Sequence, residues 1–204
     1  MLAMSGCSGT FYGNSKVYQP AGSYYLNPNK KPSSIGSVAI FEFENKSDHP
    51  TISSDMTKEF YTRMQKSAGF GTFFIDQKDP AWTSYRLDTY GRYSVDELRE
   101  ISKALRCQAV LIGTITEYQP YPHMTMGIRL KMVDLFDGQL LWAYENSWDC
   151  SDKQTQDEML YYFKNTTRFG DSEVQKKLIT ISPLNFIKFI AHEASYTITE
   201  RGNS

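Results

Sequence analysis

Long apolar runs are missing from this chain of 204 residues. None approaches the roughly 20 residues that a membrane-spanning helix needs, so any attachment to a bilayer has to come by another route. A surplus of either charge is missing too. With 22 basic and 23 acidic residues the net charge is −1, which provides no global field for nucleic acid, and no nucleic-acid partner is expected. Catalytic signatures are equally scarce: there is no Gly-x-Gly-x-x-Gly, no phosphate loop and no Gly-x-Ser-x-Gly. His49, His123 and His192 stand without a second His, Cys or carboxylate at zinc-like spacing. The chain is therefore read as a non-enzyme, with no metal, no cofactor and no small-molecule substrate. No period of about 20 to 50 residues recurs, which excludes a solenoid.

What the chain does have begins at its N-terminus. Met1-Leu2-Ala3-Met4-Ser5-Gly6-Cys7 is followed by a polar, glycine-rich run. The stretch resembles the bacterial lipobox, a leucine, a small residue, Gly or Ala, then Cys, with Met4 in the leucine position. The basic front and most of the apolar part of an export signal are not in the sequence, as expected of a start at an internal methionine or a shortened reading frame. Residues 1–7 are thus read as the end of a signal peptide, and Cys7 as the lipidation site that carries the acyl groups, palmitate among them. Ser8 is not the aspartate that favours retention at the inner membrane, so the expected address is the outer membrane, facing the periplasm.

Residues 8–34 read as a flexible, disordered tether. Gly9, Gly13, Pro20, Gly22, Pro28 and Pro32 punctuate it and no helical or strand period runs through it. Phe11, Tyr12, Tyr18, Tyr24 and Tyr25 make it more aromatic than a spacer needs, so part of it is a candidate to lie on the domain or on a partner. Residues 35–204 are expected to form a single α/β domain, large enough to bury one core.

Within that domain Val38-Ala39-Ile40-Phe41-Glu42-Phe43 is a buried-strand pattern. Met56, Phe60 and Met64 then fall on one face of a helix that Gly69 ends. A second strand spans 70–75. Residues 77–93, with Trp82, Tyr85 and Tyr90, read as a long aromatic loop, and loops of that length are functional suspects. Ser94 and Glu97 form a capping box for a helix whose apolar face is Leu98, Ile101 and Leu105. A strand over 109–118 leads through Pro120-Tyr121-Pro122 into a hairpin. A three-residue loop, Phe136-Asp137-Gly138 with Gly138 left-handed, sets Met132 opposite Trp142, Leu130 opposite Tyr144 and Ile128 opposite Asn146. Residues 150–172 are polar around Leu160-Tyr161-Tyr162-Phe163 and fit either a surface helix or an extended arm. Val174, Leu178 and Ile181 suggest another amphipathic turn or two. Ser182-Pro183 starts a last helix through Phe186, Ile187, Ile190 and Ala194. The expectation is a mixed β-sheet of about five strands flanked by helices.

Three blocks carry a family resemblance: 37–45 (Ser-Val-Ala-Ile-Phe-Glu-Phe-Glu-Asn), 97–113 ending in Ala-Val-Leu-Ile-Gly, and 132–142 (Met-Val-Asp-Leu-Phe-Asp-Gly-Gln-Leu-Leu-Trp). In this order, behind a lipobox, they resemble the group formed by the curli-secretion protein CsgG, the penicillin-binding-protein activator LpoB and the TolB N-terminal domain. The resemblance covers roughly residues 36–148. It implies an α/β domain on the periplasmic face of a bacterial envelope, acting by binding proteins or by oligomerising, with no catalytic residues to carry over. The chain departs from the pore-forming members in having a tight turn at Asp137-Gly138 and no paired runs of nine or more alternating residues.

Cys107 and Cys150 remain once Cys7 is set aside. In a strand meander they sit at opposite sheet ends, so both are expected to be thiols. The function expected is that of an outer-membrane lipoprotein binding or regulating an envelope assembly in secretion or cell-wall synthesis. Trp82, Tyr85, Tyr90, Tyr121 and His123 are its candidate contacts, because large aromatics on loops are typical anchors. The alternatives are a self-associating, ring-forming subunit and a hydrolase with a carboxylate site assembled by the fold.

Overall fold

The computed structural model describes residues 20–167 and 172–199. Cys7 and residues 8–19 of the expected tether lie outside them. The elements run β1 (Ser23–Leu26), a 3-10 turn (Pro32–Ser34), β2 (Ser37–Phe41), β3 (Glu44–Asn45), α1 (Ile52–Ser67), β4 (Gly71–Ile75), α2 (Pro80–Tyr85), α3 (Val95–Leu105), β5 (Ala109–Gln119), β6 (Thr125–Asp134), β7 (Leu140–Asp149), α4 (Lys153–Thr166), α5 (Glu173–Thr180) and α6 (Pro183–Thr199).

The strands make one mixed sheet in the order β1-β7-β6-β5-β2-β4, with β3 continuing beside β5. Strands β4, β2 and β5 are mutually parallel, while β5, β6, β7 and β1 alternate in direction. Seven strands replace the expected five or so. The additions are β3, two residues long, and β1, which lies in the run read as tether. Residues 20–34 are placed on the domain rather than free of it: Ser23 pairs with Glu145 and Leu26 with Trp142, and Tyr24 and Leu26 pack on the core. Of the aromatic residues that made the run unlike a spacer, Tyr24 docks and Tyr25 stays exposed, while Phe11, Tyr12 and Tyr18 lie outside the described residues.

Two layers of side chains cover the sheet. On one face Val38, Ile40, Leu111, Leu130, Met132 and Trp142 meet α1, α4 and α6 through Met56, Phe60, Met159, Phe186 and Ile190. The rings of Phe60, Trp142, Tyr144 and Trp148 follow one another at centroid spacings of 6.4, 6.2 and 6.2 Å, and the Trp142 indole donates to Thr197 Oγ1 at 2.9 Å. On the other face Ala39, Phe41, Val110 and Ile112 meet Leu98 and Ile101 of α3. Gly113 of β5 faces the first of these layers, where a Cβ would lie 2.5 Å from both Leu130 and Phe43.

The hairpin register is the expected one, with Ile128 opposite Asn146, Leu130 opposite Tyr144 and Met132 opposite Trp142. Gly138 has a φ of +73°, and Gly138 N–H closes the loop on Asp134 O at 3.0 Å. The Ser94–Glu97 capping box forms as read. Ser182 Oγ accepts from Asn185 N–H at 3.3 Å at the start of α6. Residues 153–166 resolve to a helix, α4. Cys107 and Cys150 are buried free thiols in different cores.

Candidate partner-binding surface

The segment 77–93 is not a structureless loop. Asp79 Oδ1 caps α2 by accepting from Ala81 N–H at 2.8 Å, with Pro80 in the first turn. That short helix turns Trp82 and Tyr85 onto the second core, and the Trp82 indole donates to Glu42 O at 2.9 Å. Asp88 then folds the chain back: its Oδ1 accepts from Tyr90 and Gly91 N–H, each at 2.6 Å. Thr89 reaches down to Thr114 Oγ1 at 2.8 Å. Tyr90, held between these anchors, stays 64% exposed.

Tyr90 lies on the sheet beyond the reach of α3. The Arg129 guanidinium sits 4.5 Å from its ring centroid and pairs with Glu145 across the β6–β7 ladder. Glu145 holds Arg129 above its ordinary pKa, and Arg129 in turn lowers that of Glu145. Lys131, beside them on β6, is pushed down by burial and only partly compensated by Asp88. Further along the same face Glu117 of β5 accepts from Ser147 of β7 at 2.8 Å, across Gly127 of β6. This is a polar, partly charged patch on which Tyr90 stands, and the exposed Tyr25 of β1 shares its face opposite Ala143.

Tyr121 and His123 lie elsewhere, in the turn between β5 and β6. The Tyr121–Pro122 peptide is cis, Gln119 Nε2 donates to Tyr121 O at 2.8 Å, and the Tyr121 ring is 81% exposed. Both residues border a cleft of about 540 Å³ whose other walls include Met124, Cys150 and Ile181. The five candidate contacts therefore separate. Trp82 and Tyr85 serve the core, Tyr90 stands on the open sheet, and Tyr121 and His123 edge a cleft.

Sequence reading passed over Glu193. It is wholly buried on α6; its Oε2 accepts from Ala21 N–H at 3.0 Å while Oε1 has no hydrogen-bond partner. Tyr144 OH donates to Ala21 O at 2.7 Å, so both polar groups of the Ala21 backbone are taken up by buried side chains. Burial pushes Glu193 up to about 7. The available signal was a lone carboxylate inside the apolar run Phe189-Ile-Ala-His-Glu-Ala194. It meets the backbone of the segment that leads into β1, which is an arrangement for holding backbone. Among the described residues no three His, Cys, Asp or Glu side chains gather as a metal site, and no helix is long and apolar enough to cross a membrane.

No protein-family model and no curated protein sequence matches this chain. Among solved structures it is similar to a PelC dodecamer from Paraburkholderia phytofirmans, at 12% identity and a TM-score of 0.45, over 63% of this chain and 82% of that one. Lipoprotein GNA1162 from Neisseria meningitidis has 18% identity and a TM-score of 0.42, over 64% and 94%. The C-terminal domain of LpoB from Salmonella enterica has 12% identity and a TM-score of 0.40, over 56% and 83%. LpoB is a member of the group that the three sequence blocks resemble.

Proposed function

We propose that this chain is a non-enzymatic lipoprotein of the bacterial outer membrane, anchored through Cys7, whose periplasmic α/β domain binds and regulates an envelope protein assembly. The observation that carries the reading is the run Ala3-Met4-Ser5-Gly6-Cys7 in front of a domain that leaves tyrosines on display away from its core. Tyr90 over Arg129 and Tyr121 at the rim of its cleft are the contacts of choice, because exposed Tyr and Arg dominate binding energy at protein interfaces. Trp82, Tyr85 and His123 support these two surfaces.

The test is metabolic labelling with a fatty-acid analogue of the protein expressed behind an intact export signal, beside its Cys7→Ser variant. Label and outer-membrane fractionation of the wild type alone support the reading, and unlabelled wild type overturns it. Crosslinking from position 90 or 121 then identifies the assembly.

One feature favours self-association as a second reading. The edge strand β4 reads Gly-Thr-Phe-Phe-Ile, with neither charge nor proline, the devices that usually protect an edge from pairing. Sedimentation of the purified chain over a range of concentrations would separate a self-assembling subunit from a monomer that waits for a partner.

A further inference from the structure

We propose that α5 and the corner joining it to α6 form a membrane-contact ridge that seats the domain on an anionic phospholipid surface. This deepens the anchored reading and rests on it only for the compartment.

Val174 is 71% exposed, Leu178 55%, Ile181 56% and Leu184 58%. Val174, Leu178 and Ile181, spaced by four and three, fall on one side of α5 and its C-cap, and Leu184 adds a fourth exposed aliphatic in the first turn of α6, whereas single exposed apolar residues scattered over a surface are ordinary. The sequence suggests amphipathic turns here, and the helix forms, but the stripe faces outward. Ile179 is the buried residue of α5, and it suffices to dock the helix.

On α5 and α6 themselves the charges are those of a lipid-facing helix, with Asp55, Lys58 and Glu59 of α1 across the cleft that Leu184 borders. Lys176 and Lys177 belong to α5 and Lys188 to the second turn of α6, while Glu173 is engaged by Lys176 Nζ at 2.8 Å. Residues 172–184 hold two lysines and one glutamate, a local positive balance in a chain that is nearly neutral. Composition also separates lipid from protein as the occupant. Binding centres on proteins draw on Trp, Tyr and Arg and are poor in Lys, Leu and Val, whereas helices lying in the bilayer interface combine aliphatic residues with lysine.

The exit of the N-terminal chain agrees with this orientation. Ala21 is fastened to Glu193 of α6, nine residues from Leu184 or about 14 Å along the helix axis. Cys7 lies thirteen residues before Pro20, a span of at most about 45 Å. With Ala21 held at α6, a tether of that length lets an acyl chain at Cys7 and the ridge meet one membrane surface together, and the Tyr90-bearing face stays open to protein.

The experiment uses the full chain with Cys7→Ser, so that no acyl group contributes, in flotation with vesicles of phosphatidylethanolamine and phosphatidylglycerol (about 3:1) and with phosphatidylcholine alone. Binding is expected to the anionic vesicles and to fall with salt. Leu178→Glu with Ile181→Glu should weaken it about tenfold or more, Lys176→Glu with Lys177→Glu several-fold, and Tyr90→Ala should leave it unchanged. Because the ridge is exposed, circular dichroism should match the parent in each variant. Val174→Ser with Leu184→Ser provides a milder pair with the same direction of effect. A folded parent that binds no vesicle, or binding indifferent to both ridge pairs, overturns the proposal. So does loss of self-association or protein capture through these residues without vesicle binding, which would make the ridge a protein interface. Failure of Cys7 labelling in cells would remove the anchor and leave the vesicle result standing.

Discussion

At the scale of single residues, the aromatics of segment 77–93 divide by what their polar atoms do. Trp82 is tied to Glu42 O and packed on the second core, so Trp82→Ala loses both packing and a hydrogen bond and should cost roughly 2–4 kcal/mol. Tyr90 covers no core, and Tyr90→Ala should change stability by less than about 0.5 kcal/mol. Urea unfolding of both variants measures the difference; equal losses would mean that Tyr90 is a packing residue too. Composition and spacing could mark these residues only as aromatic, because their division depends on α2, a six-residue helix too short to show a period. The thiols make a sharper case. Burial pushes Cys107 up to about 11 and Cys150 up to about 12, and since the thiolate is the reactive form, the native Cys7→Ser protein should hardly react with a disulfide reagent. Two equivalents should be released on unfolding.

At the scale of elements, the β6–β7 hairpin and the capping box of α3 were legible in the sequence because each is fixed by residues a few positions apart. Asp137-Gly138 sets the turn and the alternation of Met132, Leu130 and Ile128 against Trp142 and Tyr144 sets the register. Strand β1 was not legible in the same way. It is four residues long and its partner β7 lies more than a hundred residues away, so no local pattern announces the pairing. Its hold is correspondingly specific: Tyr144 OH and Glu193 Oε2 grip the two polar groups of Ala21. Tyr144→Phe keeps the ring stack and removes one of these bonds, at a cost of about 1 kcal/mol. Hydrogen exchange of residues 21–27 should quicken while β5 and β6 stay protected. Uniform acceleration across the sheet would show that β1 opens only with the whole domain.

At the scale of the whole molecule, two adjacent residues on α6 give stability an unusual dependence on pH. Burial raises Glu193 from 4.5 to about 7, so the native state holds a proton that the unfolded chain has released. Stability from this group is complete below about pH 4.5 and is lost as the pH rises through 7. Burial first, and Arg63 second, lower His192 from 6.5 to about 4. There the unfolded chain holds the extra proton, and stability is complete above about pH 6.5 and is lost as the pH falls through 4. Between about pH 4.5 and 6.5 the two slopes oppose each other, each near 1.4 kcal/mol per pH unit, and these two groups together produce a plateau. Glu193→Gln removes one arm. The glutamine carbonyl can still accept from Ala21, and stability should climb with pH across this window, exceeding the wild type by roughly 3 kcal/mol above pH 7. His192→Phe retains a ring against Tyr162, which the imidazole faces at 4.6 Å, and exposes the other arm, so its stability should fall from pH 4.5 to 7. Thermal unfolding of the three proteins at half-unit pH steps decides the matter. Parallel curves would mean that both side chains titrate normally and that Glu193 is open to water, and the grip on Ala21 would then be no stronger than a surface contact.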